Sequence, residues 1–176
     1  MRWPFFKKTT AILSLPTVLL VVISVLTIQA LNAKPTFIRI IDQGSITRDT
    51  SLSPGADIRG VTLNRPNSAP LYVDAVVSFE HPHTIDSSTN TYSDTLAIIG
   101  DFSSKKNPSH LALTEGGSII VRINASYHSG DSITVYEIGQ HTGRTAEYYE
   151  VSVSTSENGP WEVLGTGAGE TQFTIE

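Results

Sequence analysis

The stretch GGSIIVRINASYHSGDSITVYEIG, residues 116–139, decides the fold class. Ile119, Val121 and Ile123 alternate with Ile120 and Arg122, and Ile133 and Val135 alternate with Thr134 and Tyr136. A period of two places successive side chains on opposite faces of an extended strand, one buried and one wetter. Gly116-Gly117, Ser129-Gly130-Asp131 and Gly139 bound the two runs with residues that favour turns. The same grammar extends outward on both sides. Tyr149, Val151 and Val153 alternate with Glu150, Ser152 and Ser154; Val73, Ala75, Val77 and Phe79 repeat it, as do Trp161 with Val163 and Phe173 with Ile175. From Lys34 onward no long stretch carries apolar residues at the i, i+3, i+4, i+7 spacing of a helix. The pattern predicts an all-β antiparallel β-sandwich, jelly-roll-like, with no helix longer than about two turns in 45–176. Ile119, Val121, Ile133, Val135, Val151 and Val153 are expected to share its core. Asn158-Gly159, between the strand ending near Ser154 and the one starting at Trp161, predicts a hairpin.

Ahead of this region stands a different kind of segment. Arg2, Lys7 and Lys8 precede a run from Thr9 to Ala33 without a charged residue. Positive residues stay on the cytoplasmic side while an apolar segment enters the bilayer, so the remainder is expected outside the cytoplasm, secreted or membrane-anchored. The apolar run Ala11 to Ile28 predicts one N-terminal hydrophobic helix. Its length favours retention as an anchor. Ser14, Pro16, Thr17, Ser24 and Thr27 dilute it, and Ala30 or Ala33 offers a small residue for cleavage, although Ile28 and Leu31 stand where that pattern wants something small. Residues 1–33 are therefore either a signal peptide or a membrane anchor, and 34–176 a single domain.

Without residues 1–33 the chain keeps nine basic against seventeen acidic side chains, a formal charge of −8. Nucleic acid as a partner is excluded by that balance, because a phosphate backbone demands a basic footprint and Lys105-Lys106 is the only adjacent basic pair outside residues 1–33. No cysteine is present, so the fold rests on packing and strand pairing, with bound calcium as an optional support.

The run LALTEGGSIIVRINASYHSGDSITVYEIGQHTGRTAEYYEVSVSTSENGPWEVLG, from Leu111 to Gly165, resembles a module common in bacterial cell-surface and secreted proteins. Such modules read loosely as GGSI opening a strand, G-D before a V-Y/F-E strand, then V-x-V-S-x-D-G-x-x-W and a closing glycine. The resemblance extends weakly back through TLAIIGD, Thr95 to Asp101, and implies a galactose-binding-like or discoidin-like sandwich. In place of the Asp-Gly turn stands Ser156-Glu157-Asn158-Gly159-Pro160-Trp161, one residue shorter between Gly and Trp, which puts any ligand contact through that turn in doubt. FIRIID, Phe37 to Asp42, followed by SPGADIRGV, Ser53 to Val61, looks like the closing strand of the same module placed first. One reading is circular permutation, with Phe37–Ile41 paired beside Thr171–Ile175; the other is chance recurrence, with that segment a stalk.

Chemistry is sparse. His81-Pro82-His83 is the only His-x-His, and a zinc site there would draw a further ligand from Asp86, His110, His128 or Asp131, none at a recognisable spacing. Calcium through Asp42, Asp57 and Asp131 is the better metal reading, although no Asp-x-Asp-x-Asp loop is present. Gly165-x-Gly167-x-Gly169 is expected to be a bulge or hairpin, since no βαβ unit surrounds it. Glu137 falls on the apolar face of Ile133 and Val135, where a strand end or bulge near Gly139 would let it reach water or Arg144. There is no Gly-x-Ser-x-Gly elbow and no His-Glu-x-x-His.

Function is expected on the long polar stretches Glu80 to Asp94, Asp101 to His110 and Gly139 to Glu147, and on the aromatic residues Tyr72, Tyr92, Tyr127, Tyr136, Tyr148 and Trp161, with core or hairpin packing the better reading for Trp161. Tyr92, Tyr127, His128 and Asp131 are the candidate rim of a ligand site, and flat rings on sandwich loops point to carbohydrate. The favoured expectation is a non-enzymatic recognition or adhesion module whose partner is a glycan or another surface protein. A structural cell-envelope protein, held at the membrane by its N-terminal segment, is the alternative, and a glycan-active hydrolase is third.

Overall fold

The alternating runs become strands. The computed structural model describes residues 34–44, 55–81, 94–104, 110–138 and 147–176, and within them ten strands form two antiparallel sheets. In chain order they are β1 (Thr36–Asp42), β2 (Asp57–Asn64), β3 (Leu71–Tyr72), β4 (Ala75–Glu80), β5 (Leu111–Ala112), β6 (Ser118–Ile123), β7 (Ser132–Glu137), β8 (Tyr148–Ser154), β9 (Glu162–Ala168) and β10 (Glu170–Thr174). The first sheet runs β4-β6-β1-β8-β9; the second runs β10-β7-β2-β3, with β5 also on β2. The chain passes between sheets at every connection except β2 to β3 and β8 to β9, with the shortest crossings at Val73-Asp74, after β3, and at Gly169, after β9.

The interior is filled from both sheets. Ile38, Ile40, Ile119, Val121, Tyr149 and Val151 from the first meet Ile58, Val61, Leu63, Ile133, Val135 and Phe173 from the second in one apolar cluster. Five of the six residues expected to share the core are in it; Val153 is equally buried, opposite Ile38 at the margin. Helix is confined, among the described residues, to 3-10 turns at Thr95–Ile98 and Phe102–Ser104. No helix among them is long and apolar enough to cross a membrane, and the expected N-terminal helix lies outside the described residues.

β1 is the largest departure from expectation. It does not lie beside the C-terminal strand. It occupies the middle of the first sheet, with Ile38 opposite Val121 on β6 and Val153 on β8, and Ile40 opposite Ile119 and Val151. β10 pairs with β7 in the other sheet, Phe173 opposite Ile133. The pairing that permutation required is absent, and the stalk alternative fails too, because Ile38 and Ile40 are fully buried. Physically, a strand apolar enough to be covered on both edges is worth more at the centre of a sheet than at its margin.

Two bulges explain two smaller departures. Between Val76 and Ser78 the register of β4 on β6 slips, so Val77 is an extra residue. The slip puts Val76 and Phe79 against the core and leaves Val77 exposed, which breaks the alternation expected from Val73 to Phe79. A second slip, at Val151/Ser152, makes Leu164 the extra residue of β9, where the glycine series starts. Val163 then faces out at 57% exposure, and Trp161 stays half-buried with the Arg39 guanidinium 4.8 Å above its ring. The expected hairpin at Asn158-Gly159 does join β8 to β9.

Because Ile40 and Val151 are directly opposed, their losses should be coupled. Val151→Ala is expected to lower stability by about 1–3 kcal/mol and Ile40→Ala by about 2–5 kcal/mol in denaturant unfolding. The double variant should lose less than the sum of the two; strict additivity would mean that the two side chains do not share a packing site.

Candidate functional site

Polar side chains gather at both ends of the sandwich and on the outer face of the second sheet. At one end β1 stops at Asp42, which is 3% exposed. Its Oδ1 accepts a hydrogen bond from Ala56 N at 2.9 Å, and its Oδ2 accepts from Gly44 N at 2.9 Å and Gly116 N at 3.0 Å. One carboxylate thereby ties three separate segments of backbone together, satisfying amides that strand pairing leaves over. Close by, Glu147 accepts from Gly55 N at 3.1 Å. Gly55 has φ +86°, and a Cβ there would lie 2.4 Å from the Thr114 carbonyl carbon, so the approach requires glycine.

Glu137 lies at the same end. The expectation that it reaches water is not met: it is fully buried, and its Oε2 accepts from Gly169 N at 3.2 Å. Arg144 lies outside the described residues. Tyr149 completes this arrangement by donating its hydroxyl to Gly169 O at 2.6 Å. Burial pushes its phenol up to about 12, helped by the charges of Glu137 and Glu170 and opposed by a hydrogen bond with Thr171. Gly169 is thus held through both its amide and its carbonyl, where the chain passes from β9 to β10.

The opposite end carries the connection from β6 to β7. Asp131, 4% exposed, accepts from His128 N at 2.9 Å and lies 3.5 Å from Arg65 Nε and 3.6 Å from His128 Nδ1. Its backbone carbonyl accepts from Ile175 N at 2.9 Å, which pins the end of the chain. Tyr127 packs against the core, its hydroxyl pKa raised by burial and by Glu162, whereas the His128 side chain is 70% exposed. Of the four expected rim residues, then, Tyr127, His128 and Asp131 share one turn, with Asp131 facing inward as a brace. Tyr92 lies outside the described residues.

The three aspartates considered for calcium do not converge. Asp57 stands at the start of β2, with His110 Nε2 3.6 Å from its Oδ1, and belongs to the Asp42 end. Asp131 adjoins Ser132, which pairs with Asn64 at the far end of the same strand. An eight-residue strand spans about 25 Å. Among the described residues no group of three or more His, Asp or Glu side chains is placed to hold a metal ion. For the His-x-His reading, His81 stacks on Phe79 at 5.0 Å between ring centroids; Pro82 and His83 lie outside the described residues.

Sequence reasoning weighed Tyr72 and Tyr136 as single aromatics and missed that they meet in a third region. Phe102, in a short 3-10 turn, lies over Gly60 on the outer face of the second sheet; a Cβ at Gly60 would come within 2.1 Å of its ring. Tyr136 tilts against Phe102 at 4.7 Å, Tyr72 meets it edge-on at 6.0 Å, and the Arg59 guanidinium sits 5.9 Å from the ring centre. Burial raises the pKa of the Tyr72 hydroxyl, as do the charge of Asp101 and a hydrogen bond with it. The signal that could have found this group was Gly60 in mid-strand, which marks a close approach by another residue. No family model, curated protein or solved structure matches this chain.

Two predictions come from the Asp42 end. Asp42→Ala orphans three amides and is expected to cost about 2–4 kcal/mol in denaturant unfolding, with Asp42→Asn recovering part of the loss. Tyr149 sets an alkaline limit. The folded state holds its phenol neutral to about 12, whereas an ordinary tyrosine phenol ionises at 10.0. Its contribution is therefore intact below about pH 10 and is lost as the pH rises toward 12. Ultraviolet titration of tyrosinate should show one phenol that ionises only with unfolding, and Tyr149→Phe should flatten the alkaline fall in melting temperature.

Proposed function

We propose that residues 34–176 form an extracytoplasmic recognition or adhesion module with a carbohydrate ligand, exported by residues 1–33. The observation that carries this reading is the segregation of the sandwich's two ends. Lys34 enters at one end, where its carbonyl accepts from Ser126 Oγ at 3.0 Å and Thr36 Oγ1 donates to Ala125 O at 2.5 Å. Residues that flank several polar stretches lie at the other. Gly44 and Gly55 flank 45–54 there, and Ile138 and Glu147 flank 139–146; His81 leads out of that end and His110 leads back to it. A scaffold stiffened by paired strands, with the described flanks of several polar stretches at the end away from Lys34, supports a role in presenting a surface. The acidic charge and the scarcity of adjacent basic residues argue for a neutral partner over a polyanion.

The finer fold assignment, a galactose-binding-like or discoidin-like module, belongs to the same proposal. It is supported by the run Leu111 to Gly165 and by the antiparallel two-sheet architecture that such modules share. A protein-contact role in the cell envelope is the second reading. It is favoured by Val77 and Val163, both exposed on the outer face of the first sheet.

The full chain, screened on an array of neutral and anionic glycans in a detergent without a sugar headgroup, is expected to retain a neutral class. Its failure to bind any glycan, together with capture by a purified envelope protein, would replace the first reading with the second.

A further inference from the structure

We propose that the outer face of the first sheet docks a second copy of this chain, through a two-fold interface in which Arg39 of each copy meets Glu150 of the other. The inference goes beyond both readings above and depends on neither. Four large apolar side chains are exposed among the described residues, and three of them stand on this face: Val163 at 57%, Tyr148 at 38% and Val77 at 37%. Register sets the rest. Ile120, Arg39, Ser152 and Val163 form one row across β6, β1, β8 and β9, and Ile41 lies beside Glu150 in the next. The face is open along these rows, since Ile41, Ile120, Arg39 and Glu150 are each partly exposed; the one buried member, Ser152, accepts a hydrogen bond from Arg39 Nη2 at 3.4 Å.

Charge selects the occupant. Arg122 pairs with Asp74 and Arg65 lies beside Asp131, but among the described residues Arg39 has no carboxylate at ion-pair distance and Glu150 has no basic group, although after residue 33 acids outnumber bases seventeen to nine. Trp161 keeps the two apart. Its ring lies 4.8 Å from the Arg39 guanidinium, and it precedes Glu162, which is opposite Val153, whereas Glu150 is opposite Thr166. The guanidinium is thus held along the sheet away from Glu150, and its buried Nε has no hydrogen-bond acceptor. A two-fold interface brings one patch to itself, so an arginine without an acid and a glutamate without a base answer each other twice across the axis. A different acidic partner would satisfy Arg39 and leave Glu150 unanswered. Tryptophan and arginine amid apolar neighbours are also the composition of interface hot spots. Elsewhere the acidic surplus drives copies apart. Here Arg39 offsets Glu150 and Arg122 offsets Asp74, while Glu80 and Glu162 add charge only on the two edge strands. Five strands of six or seven residues make a face of roughly 20 Å by 20 Å. That is the weak end of specific interfaces, so association should depend on concentration.

The test is sedimentation equilibrium of the full chain in a density-matched detergent, over a range of protein concentrations. A monomer–dimer equilibrium with Kd on the order of 100 μM is expected. Arg39→Glu and Glu150→Arg should each weaken it by about tenfold or more, because each sets like charges together twice. Mixed in equal amounts, the two variants should associate with one another, since each supplies the charge that the other lacks. Val163→Asp should weaken association as well, and Tyr136→Phe, on the other sheet, should leave it unchanged. If Arg39→Glu proves unstable, Glu150→Arg and Val163→Asp decide: loss in both supports the face, and retention in either overturns it. Single variants that weaken association without recovery on mixing would overturn the pairing of Arg39 with Glu150. A dimer that persists in every variant would place association elsewhere in the chain. A monomer at all concentrations would overturn the proposal, and capture by a purified envelope protein that Val163→Asp abolishes would then give the face to a different partner. None of these outcomes bears on the glycan array, so this inference and the carbohydrate reading fail separately.

Discussion

Ile38 and Ile40 occupy the position on which the rest of the domain depends. Each is fully buried, and each is opposed on both sides, by Val121 and Val153 in one case and by Ile119 and Val151 in the other. Without cysteines, the domain has no covalent tie between the segment near residue 40 and the strands more than 75 positions later. Closing that separation costs chain entropy before any contact repays it. A central strand repays most, since both of its edges are hydrogen-bonded and its inner face is covered by the second sheet.

The Asp42 carboxylate continues that logic at the strand's end. Strand pairing leaves backbone amides unpaired where chains turn, and a buried amide without a partner is costly. Asp42 satisfies three of them, from segments near residues 44, 56 and 116, and so fixes where the sheets end. Glu137 and Tyr149 do the same for Gly169. These acidic groups, which in a list of residues look like metal ligands or catalytic acids, serve here as hydrogen-bond partners of the backbone.

The outer faces of the two sheets divide the surface by chemistry. The first carries Arg39, Arg122 and Glu150, the Trp161–Arg39 stack and the exposed Val163; the second carries buried hydroxyls and the rings around Gly60 with Arg59 and Asp101 beside them. Both faces belong to a scaffold whose shape is set from within, so each can vary without disturbing the core.

The sequence by itself determined the strands. Alternation at Ile119–Ile123, Ile133–Val135 and Tyr149–Val153, bounded by turn residues, needs only the two-residue period of an extended chain, which is a local property. The Asn158-Gly159 hairpin was equally local. What only the tertiary structure decided was partnership. Nothing in the pattern of Phe37–Ile41 says whether it sits beside β10 or between β6 and β8, because an apolar strand fits either place and the choice is made by the whole set of pairings. Val77 and Val163 turn outward because single-residue bulges shift the register, and a bulge has no signature in alternation. The ring group over Gly60 escaped notice for a related reason. Tyr72, Phe102 and Tyr136 are up to 64 positions apart, and only the tertiary structure sets their rings together.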